Sequence, residues 1–99
     1  MHIITKRRVK EFVQQHPDAQ ASLATWVKIA ETQRWQHIHE VRASWPSADA
    51  AGHLTVFNIG GNRYRLIVSI DYTYQKIFVR AILTHAEYDK EGWKHDPWF

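Results

Sequence analysis

The segment VFNIGGNRYRLIVSIDYTYQKIFVRAILTHAEYD, residues 56–89, has the composition and spacing of an antiparallel sheet. Three runs rich in β-branched and aromatic residues, LTVFNI, RYRLIVSI and KIFVRAIL, are predicted to be its strands. Gly60-Gly61-Asn62 separates the first two runs, and adjacent glycines supply the positive φ that a tight hairpin turn requires. Residues 71–75 form the second predicted turn, so the chain is expected to pass back and forth through one small sheet.

The middle strand is expected to have two different faces, because side chains alternate along a strand. Leu66 and Val68 belong to an apolar face that helices are expected to cover. Arg65 and Ile67 belong to the opposite face. The sheet therefore combines a core side with a side that carries charge.

The sequence before the sheet predicts helices. Thr5 is expected to cap a helix with the body KRRVKEFVQQ, which stops before Pro17 because the residue preceding a proline resists the α region. Pro17 begins a second helix, whose apolar residues recur at helical spacing to about Arg34. A shorter helix ends at Pro46, and residues 47–53 are expected to form a loop.

The opening residues MHII are apolar and predict an edge strand. Taken with the helices and the hairpins, they indicate an α+β fold in which N-terminal helices pack on a small antiparallel sheet. A chain of 99 residues is expected to be a single domain over residues 1–99.

Composition narrows the classes of function. The formal net charge is +3 with His neutral, which suits a polyanionic partner or an acidic protein. The chain has no Cys, which excludes disulfides, thiolate catalysis and Cys-type zinc sites and fits a reducing compartment. No apolar run has the length of a signal peptide or a membrane span, so a cytoplasmic protein without membrane contact is expected.

Two strand arginines, Arg65 and Arg80, are the first candidates for a functional site. With an even-numbered loop in the second hairpin, Arg65 lies opposite Ile82 and Arg80 lies opposite Ile67, so both guanidinium groups project from one face. Adjacent cations repel each other unless an anion or carboxylates lie between them, and phosphate fits the planar guanidinium fork. Alternatively, each arginine is a solvated residue of the outer face, and a register change of one residue would separate the two.

His85 and Tyr88 follow the last strand and are the candidates for proton transfer. An imidazole can donate or accept a proton near neutral pH, which suits general acid–base catalysis. Tyr88 could stack on a nucleotide base or transfer a proton. The alternatives are that His85 caps a helix or lies in solvent, and that Tyr88 is an aromatic residue at the edge of the core.

A run of cations in the first helix could follow a nucleic-acid backbone or could be a solvated face. Arg63, at the start of the middle strand, could assist at a phosphate or lie in solvent. His37 and His39 form an H-x-H pair, but residues two apart on a helix point in different directions, so neither a metal nor another cofactor is predicted. The run of cations in the first helix consists of Lys6, Arg7, Arg8 and Lys10.

Three motifs resemble the HigB toxin family of bacterial type II toxin–antitoxin systems, which is similar to the RelE superfamily. They are WPSAD at residues 45–49, VFNIGGNRYRLIV at residues 56–68 and THAEYDK at residues 84–90. The resemblance extends over essentially the whole chain, and the combination of N-x-Y-R-L with T-H-x-E-Y-D at this spacing is specific.

The resemblance implies a compact RelE-like fold and an endoribonuclease that enters the ribosomal A site and cleaves translated mRNA. It also implies a helix-turn-helix antitoxin of the HigA type, encoded just downstream, that binds and neutralises the toxin. Arg65 matches an arginine that such toxins direct at the RNA, and Arg80 lies on the last strand. His85 matches a histidine that relatives with a T-H motif use for proton transfer, and Tyr88 lies close to an aromatic position near their C-terminus.

One departure from the family pattern concerns lysine. Many RelE-type toxins use strand lysines as base or charge stabiliser, whereas no Lys lies between Lys28 and Lys76 here. Metal-free attack of a 2′-hydroxyl on the adjacent phosphate would then rely on His85 for proton transfer, and which residue is base and which is acid stays open. The alternatives are a non-catalytic RNA- or ribosome-binding module and a protein whose main role is to bind its antitoxin in operon autoregulation.

Overall fold

The computed structural model describes residues 1–99 and has an α+β architecture with one five-stranded sheet. In chain order the elements are β1 (His2–Ile4), α1 (Lys6–Gln15), a 3₁₀ turn (Pro17–Ala19), α2 (Gln20–Thr32), α3 (Ile38–Ser44), β2 (Asp49–Ala51), β3 (Leu54–Ile59), β4 (Tyr64–Asp71), β5 (Lys76–Thr84), α4 (His85–Asp89) and a second 3₁₀ turn (Gly92–His95).

The strands are arranged in the order β1-β5-β4-β3-β2, with β1 parallel to β5 and the other neighbours antiparallel. The predicted β3–β4 hairpin is confirmed by the antiparallel pairing of the two strands, and Gly60 and Gly61 in its turn have φ of 61° and 68°. The predicted edge strand near the N-terminus is also confirmed. The predicted loop over residues 47–53 is wrong, because β2 pairs with β3 there. Its sequence, Asp-Ala-Ala, has little strand propensity, so backbone pairing alone explains the strand.

The first two helices cover one face of the sheet, as the alternation along β4 predicts. Trp26 and Leu23 of α2 are fully buried there with Leu66 and Val68 of β4. The Trp26 ring meets Phe57 edge to face, with ring centroids 5.3 Å apart. Complete burial of one such apolar side chain contributes about 1.5–3 kcal/mol, so this interface provides much of the stability that holds the sheet in place.

Helix α1 has the predicted bounds but not the predicted cap. Thr5 adopts φ of 68° at the junction of β1 and α1, and its side chain makes no capping hydrogen bond. The hydroxyl instead donates to the backbone carbonyl of Val79 on β5, 3.3 Å away. The Thr5 side chain therefore connects the start of α1 to the sheet and does not cap the helix. The helix ends at Gln15, before Pro17.

A β-bulge changes the register between β4 and β5. Near the turn the strands pair as the even-numbered loop requires, but the register shifts by one residue next to Ile67. Arg65 then lies opposite Leu83, and Arg80 has no opposite residue. The predicted pairs Arg65–Ile82 and Arg80–Ile67 are therefore both wrong. A bulge inserts one extra residue into one strand, and the pattern of side chains in this sequence did not predict it.

The second face of the sheet carries a smaller apolar cluster, which residues 85–99 cover. We call these residues the C-terminal segment. Its Tyr88, Trp93 and Phe99 pack against the cluster. The carbonyl of Phe99 accepts a hydrogen bond from the backbone N–H of His53 at 2.6 Å, and a Cβ at Gly52 would clash with that carbonyl. The cluster itself consists of Leu54, Val56 and Ile67.

None of the helices combines the length and the hydrophobicity that a bilayer-spanning helix needs.

Candidate active site

Arg65 is a nearly buried cation without an acidic partner. Only 8% of the residue is exposed, although a charged side chain is normally buried only when it is paired. Its Nη1 donates to the backbone carbonyls of Asn62 and Tyr64, both at 3.1 Å. A guanidinium has five N–H donors, so the Nε and Nη2 edge keeps donors that the protein does not use. That edge is suited to an anion from outside.

Tyr88 on α4 forms the wall above Arg65. The guanidinium carbon of Arg65 lies 5.3 Å from the centre of the Tyr88 ring, and the same ring stacks on Trp93, with centroids 5.0 Å apart and an angle of 10° between the rings. The indole N–H of Trp93 donates to the backbone carbonyl of Tyr88 at 3.0 Å. Trp93 therefore holds the tyrosine ring next to Arg65, which gives the site an aromatic surface beside a cation.

His85 is the first residue of α4 and has a carboxylate partner on the same helix. Its Nδ1 lies 3.0 Å from an oxygen of Asp89, one helical turn further on. Thr84 and Glu87 form a capping box that fixes the start of this short helix, and the hydrogen bond from the backbone N–H of Thr84 lowers the pKa of Glu87. The backbone N–H of His85 donates to the carbonyl of Arg63, which joins α4 to the beginning of β4.

Arg80 has the partner that Arg65 lacks. Its Nε and Nη2 each donate to one oxygen of Asp96 at 2.9 Å, a bidentate ion pair on the C-terminal segment. These hydrogen bonds lower the pKa of Asp96. The Trp98 ring lies over the guanidinium at 4.0 Å. The two arginines thus differ, since a carboxylate of the same chain balances the charge of Arg80 and none balances the charge of Arg65.

The candidate RNA-binding cations do not form one surface. Arg8 donates to the backbone carbonyl of Arg80 at 2.7 Å and so lies against β5. Arg7 is largely exposed and approaches Glu11, whereas Lys6 and Lys10 line a groove between α1 and α2.

Arg63 is exposed, as the solvent interpretation predicts, but it also has an acidic partner. It pairs with Asp18 at 2.8 Å. The same carboxylate accepts a hydrogen bond from the Tyr64 hydroxyl at 2.7 Å, and this bond lowers the pKa of Asp18.

Two carboxylates outside the predicted set of site residues, Asp89 and Asp96, take part in this region. Asp89 could have been found from the spacing His85-x-x-x-Asp89, because residues four apart share a helix face. Asp96 has no such signal, because its contact with Arg80 joins residues that no local period relates. The H-x-H pair, His37 and His39, lies outside the region with ring centroids 5.7 Å apart.

Comparison with known proteins gives a consistent family. Residues 19–91 match a protein family described as "HigB_toxin, RelE-like toxic component of a toxin-antitoxin system". The mRNA interferase toxin HigB of Escherichia coli strain K12 is 29% identical over 92 residues, covering 90% of this chain and 88% of the relative. The mRNA interferase HigB of Escherichia coli O6:H1 strain CFT073 is 30% identical over 93 residues, covering 91% and 90%. The mRNA interferase HigB of Shigella flexneri is 29% identical over 92 residues, covering 90% and 88%.

Proposed function

This chain belongs to the HigB family of RelE-like toxins, and on that premise we propose that it is an endoribonuclease that cleaves mRNA during translation. Its relatives are named mRNA interferases, and the matched region includes Arg65, Arg80, His85 and Tyr88. The site we propose lies where β4 and α4 meet, on the face of the sheet that the C-terminal segment covers.

The observation that carries the proposal is the state of Arg65. A cation that is 8% exposed, has no acidic partner and keeps unused donors on one edge is prepared for an anion. Phosphate fits that edge, because the planar fork can donate two parallel hydrogen bonds to it. The adjacent ring of Tyr88 offers a surface on which a nucleotide base can stack.

His85 and Asp89 supply the proposed acid–base chemistry. Nδ1 lies 3.0 Å from the Asp89 carboxylate, and a proton held on Nδ1 beside that carboxylate would leave Nε2 to accept another. His85 would take the proton of the 2′-hydroxyl, whose oxygen then attacks the adjacent phosphorus. The bond between phosphorus and the 5′-oxygen breaks, the 5′-oxygen takes up a proton from water, and a 2′,3′-cyclic phosphate remains. Arg65 would stabilise the charge that develops on the phosphoryl oxygens.

Arg80 and the cations outside this site have secondary roles in the proposal. Arg80 would contribute to phosphate binding only if its ion pair with Asp96 were broken, since that carboxylate accepts hydrogen bonds from both Nε and Nη2 of the guanidinium. Arg8, next to the backbone of Arg80, and Arg63 are the cations we propose to approach the RNA backbone. Arg7, Lys6 and Lys10 remain predicted RNA contacts without a specific role.

We also propose that the ribosome and an antitoxin of the HigA type are partners of this single domain in the cytoplasm. Membership of a toxin–antitoxin family supports an antitoxin partner and an mRNA target. Binding in the ribosomal A site would orient the 2′-hydroxyl towards the phosphate, which could supply much of the rate of so small a site.

The test is inducible expression of the wild-type chain and of His85→Ala, with mapping of new 5′ ends in an abundant mRNA. The wild type is expected to arrest growth and to produce ends inside the reading frame. Loss of a general base should lower the cleavage rate about 10²–10⁴-fold, so His85→Ala should produce neither effect.

His39→Ala is the matched control, because His39 is an exposed histidine on α3, outside the proposed site. It should arrest growth like the wild type. Growth arrest by His85→Ala with the same new ends would contradict the mechanism. Growth arrest by the wild type with intact mRNA would favour the non-catalytic binding module.

A further inference from the structure

A surface groove lies between α1 and α2 and has no role in the chemistry above. It consists of two cavities of about 380 and 450 Å³. Both cavities contact Val9, Lys10 and Ala24, so they adjoin and form one continuous depression. We call this depression the helix groove.

The floor of the helix groove is apolar. Val9, Leu23 and Ala24 contribute to it, with Val13 at one end and Val27 at the other. Leu23 is fully buried and belongs to the main core, whereas Ala24 is exposed at the surface of α2. The floor is thus supported by the core beneath it and is open to a partner from above.

The rim of the helix groove is basic. Lys6, Lys10 and Lys28 line it, together with a single acid, Glu31. Glu31 is already paired with Lys6 at 2.8 Å across the groove. Lys10 and Lys28 have no ion pair or hydrogen bond within the chain, so their charge is available to a partner.

We propose that the helix groove is the docking site for an acidic amphipathic helix of the antitoxin. Apolar residues one helical turn apart would fill the floor, and flanking carboxylates would pair with Lys10 and Lys28, as in other helix-in-groove interfaces. The inference rests on membership of a toxin–antitoxin family and does not depend on the nuclease chemistry.

A protein helix fits the helix groove better than RNA does. Single-stranded RNA is bound by aromatic rings that stack on its bases and by arginine forks on its phosphates. The residues that line the groove include neither an aromatic side chain nor an arginine. These elements occur instead around Arg65 and Tyr88, on the other face of the sheet.

The test measures the affinity of this chain for the purified antitoxin encoded beside it, by isothermal titration calorimetry. All variants carry His85→Ala, so that their production does not depend on toxicity. Lys28→Glu replaces an attraction by a repulsion and should weaken binding about tenfold, with a smaller effect at high salt. Ala24→Arg fills the groove with a large side chain at an exposed position and should weaken binding about 100-fold or more.

Each variant has a matched control outside the helix groove. Lys76→Glu makes the same charge change at the start of β5, and Thr25→Arg adds the same side chain to an exposed position of α2 that does not line the groove. Both controls should bind like the parent chain. Unchanged affinity in Lys28→Glu and Ala24→Arg, or equal loss in all four variants, would overturn the proposal. An inactive nuclease would leave this measurement intact, so the two proposals fail separately.

Discussion

The ion pair between Arg80 and Asp96 should be one of the few on this protein that contributes substantially to stability. Asp96 accepts two hydrogen bonds of 2.9 Å, and the side chains of Arg80 and Asp96 are only 24% and 17% exposed. Hydrogen bonds to charged groups contribute about 1.5–3 kcal/mol, whereas exposed ion pairs contribute at most about 1 kcal/mol. For Asp96→Asn we therefore expect the free energy of unfolding at pH 7 to fall by about 2 kcal/mol.

The loss should depend on pH in a defined direction. Because Arg80 holds the pKa of Asp96 below its usual value, the unfolded chain takes up the proton at a higher pH than the folded chain does. The contribution of the pair is complete above the unfolded pKa, about 3.9, and is lost as the pH falls through the lowered pKa of the folded state. The difference between wild type and Asp96→Asn should therefore shrink under acid conditions.

The assay is denaturant unfolding at pH 7 and near pH 3, with both chains in the His85→Ala background. In thermal unfolding, the same loss of about 2 kcal/mol in the free energy of unfolding would lower the melting temperature by about 10 °C for a domain of this size. Asp49→Asn is the control, because Asp49 also pairs with an arginine, Arg42, at 3.0 Å, but its side chain is 75% exposed. Equal losses for the two variants, or an Asp96→Asn difference that does not change with pH, would refute the reasoning.

Two further predictions concern the turn before β3 and the start of β4. Gly52→Ala should destabilise the fold more than Gly61→Ala, because both glycines have positive φ but only a Cβ at Gly52 would clash with the carbonyl of Phe99. Thermal unfolding and limited proteolysis of the C-terminal segment would compare the two variants, and equal losses of stability would contradict the predicted clash. Tyr64→Phe should raise the pKa of Asp18 towards its usual value, because the tyrosine hydroxyl is the main cause of its lowering; an NMR titration of the carboxyl carbon would show this, and an unchanged pKa would argue against that hydrogen bond.

Local chemistry accounts for most of the elements predicted from the sequence. The bounds of α1 follow from helical periodicity and Pro17, and the β3–β4 hairpin follows from Gly60 and Gly61. The two faces of β4 follow from strict alternation, which assigned Leu66 to the core. In each case the deciding interactions join residues close in sequence, so a short window contains the information.

What the sequence did not predict depends on how strands pair and not on the propensity of the individual residues. β2 exists because the edge of β3 offers unpaired backbone groups, and its own side chains carry no strand signal. The bulge that separates Arg65 from its predicted partner arises where two strands must twist and pack together, and a single extra residue changes which side chains face each other.

The candidate site divides in the same way. Its components can be read from the chain, since an arginine on a strand, a histidine at the start of a helix and a nearby tyrosine are visible in N-x-Y-R-L and T-H-x-E-Y-D. Their chemical states cannot, because whether a guanidinium is neutralised depends on which carboxylate the fold brings to it. Asp96 reaches Arg80 only because the C-terminal segment crosses the sheet, and no carboxylate reaches Arg65, which is why these two similar residues differ.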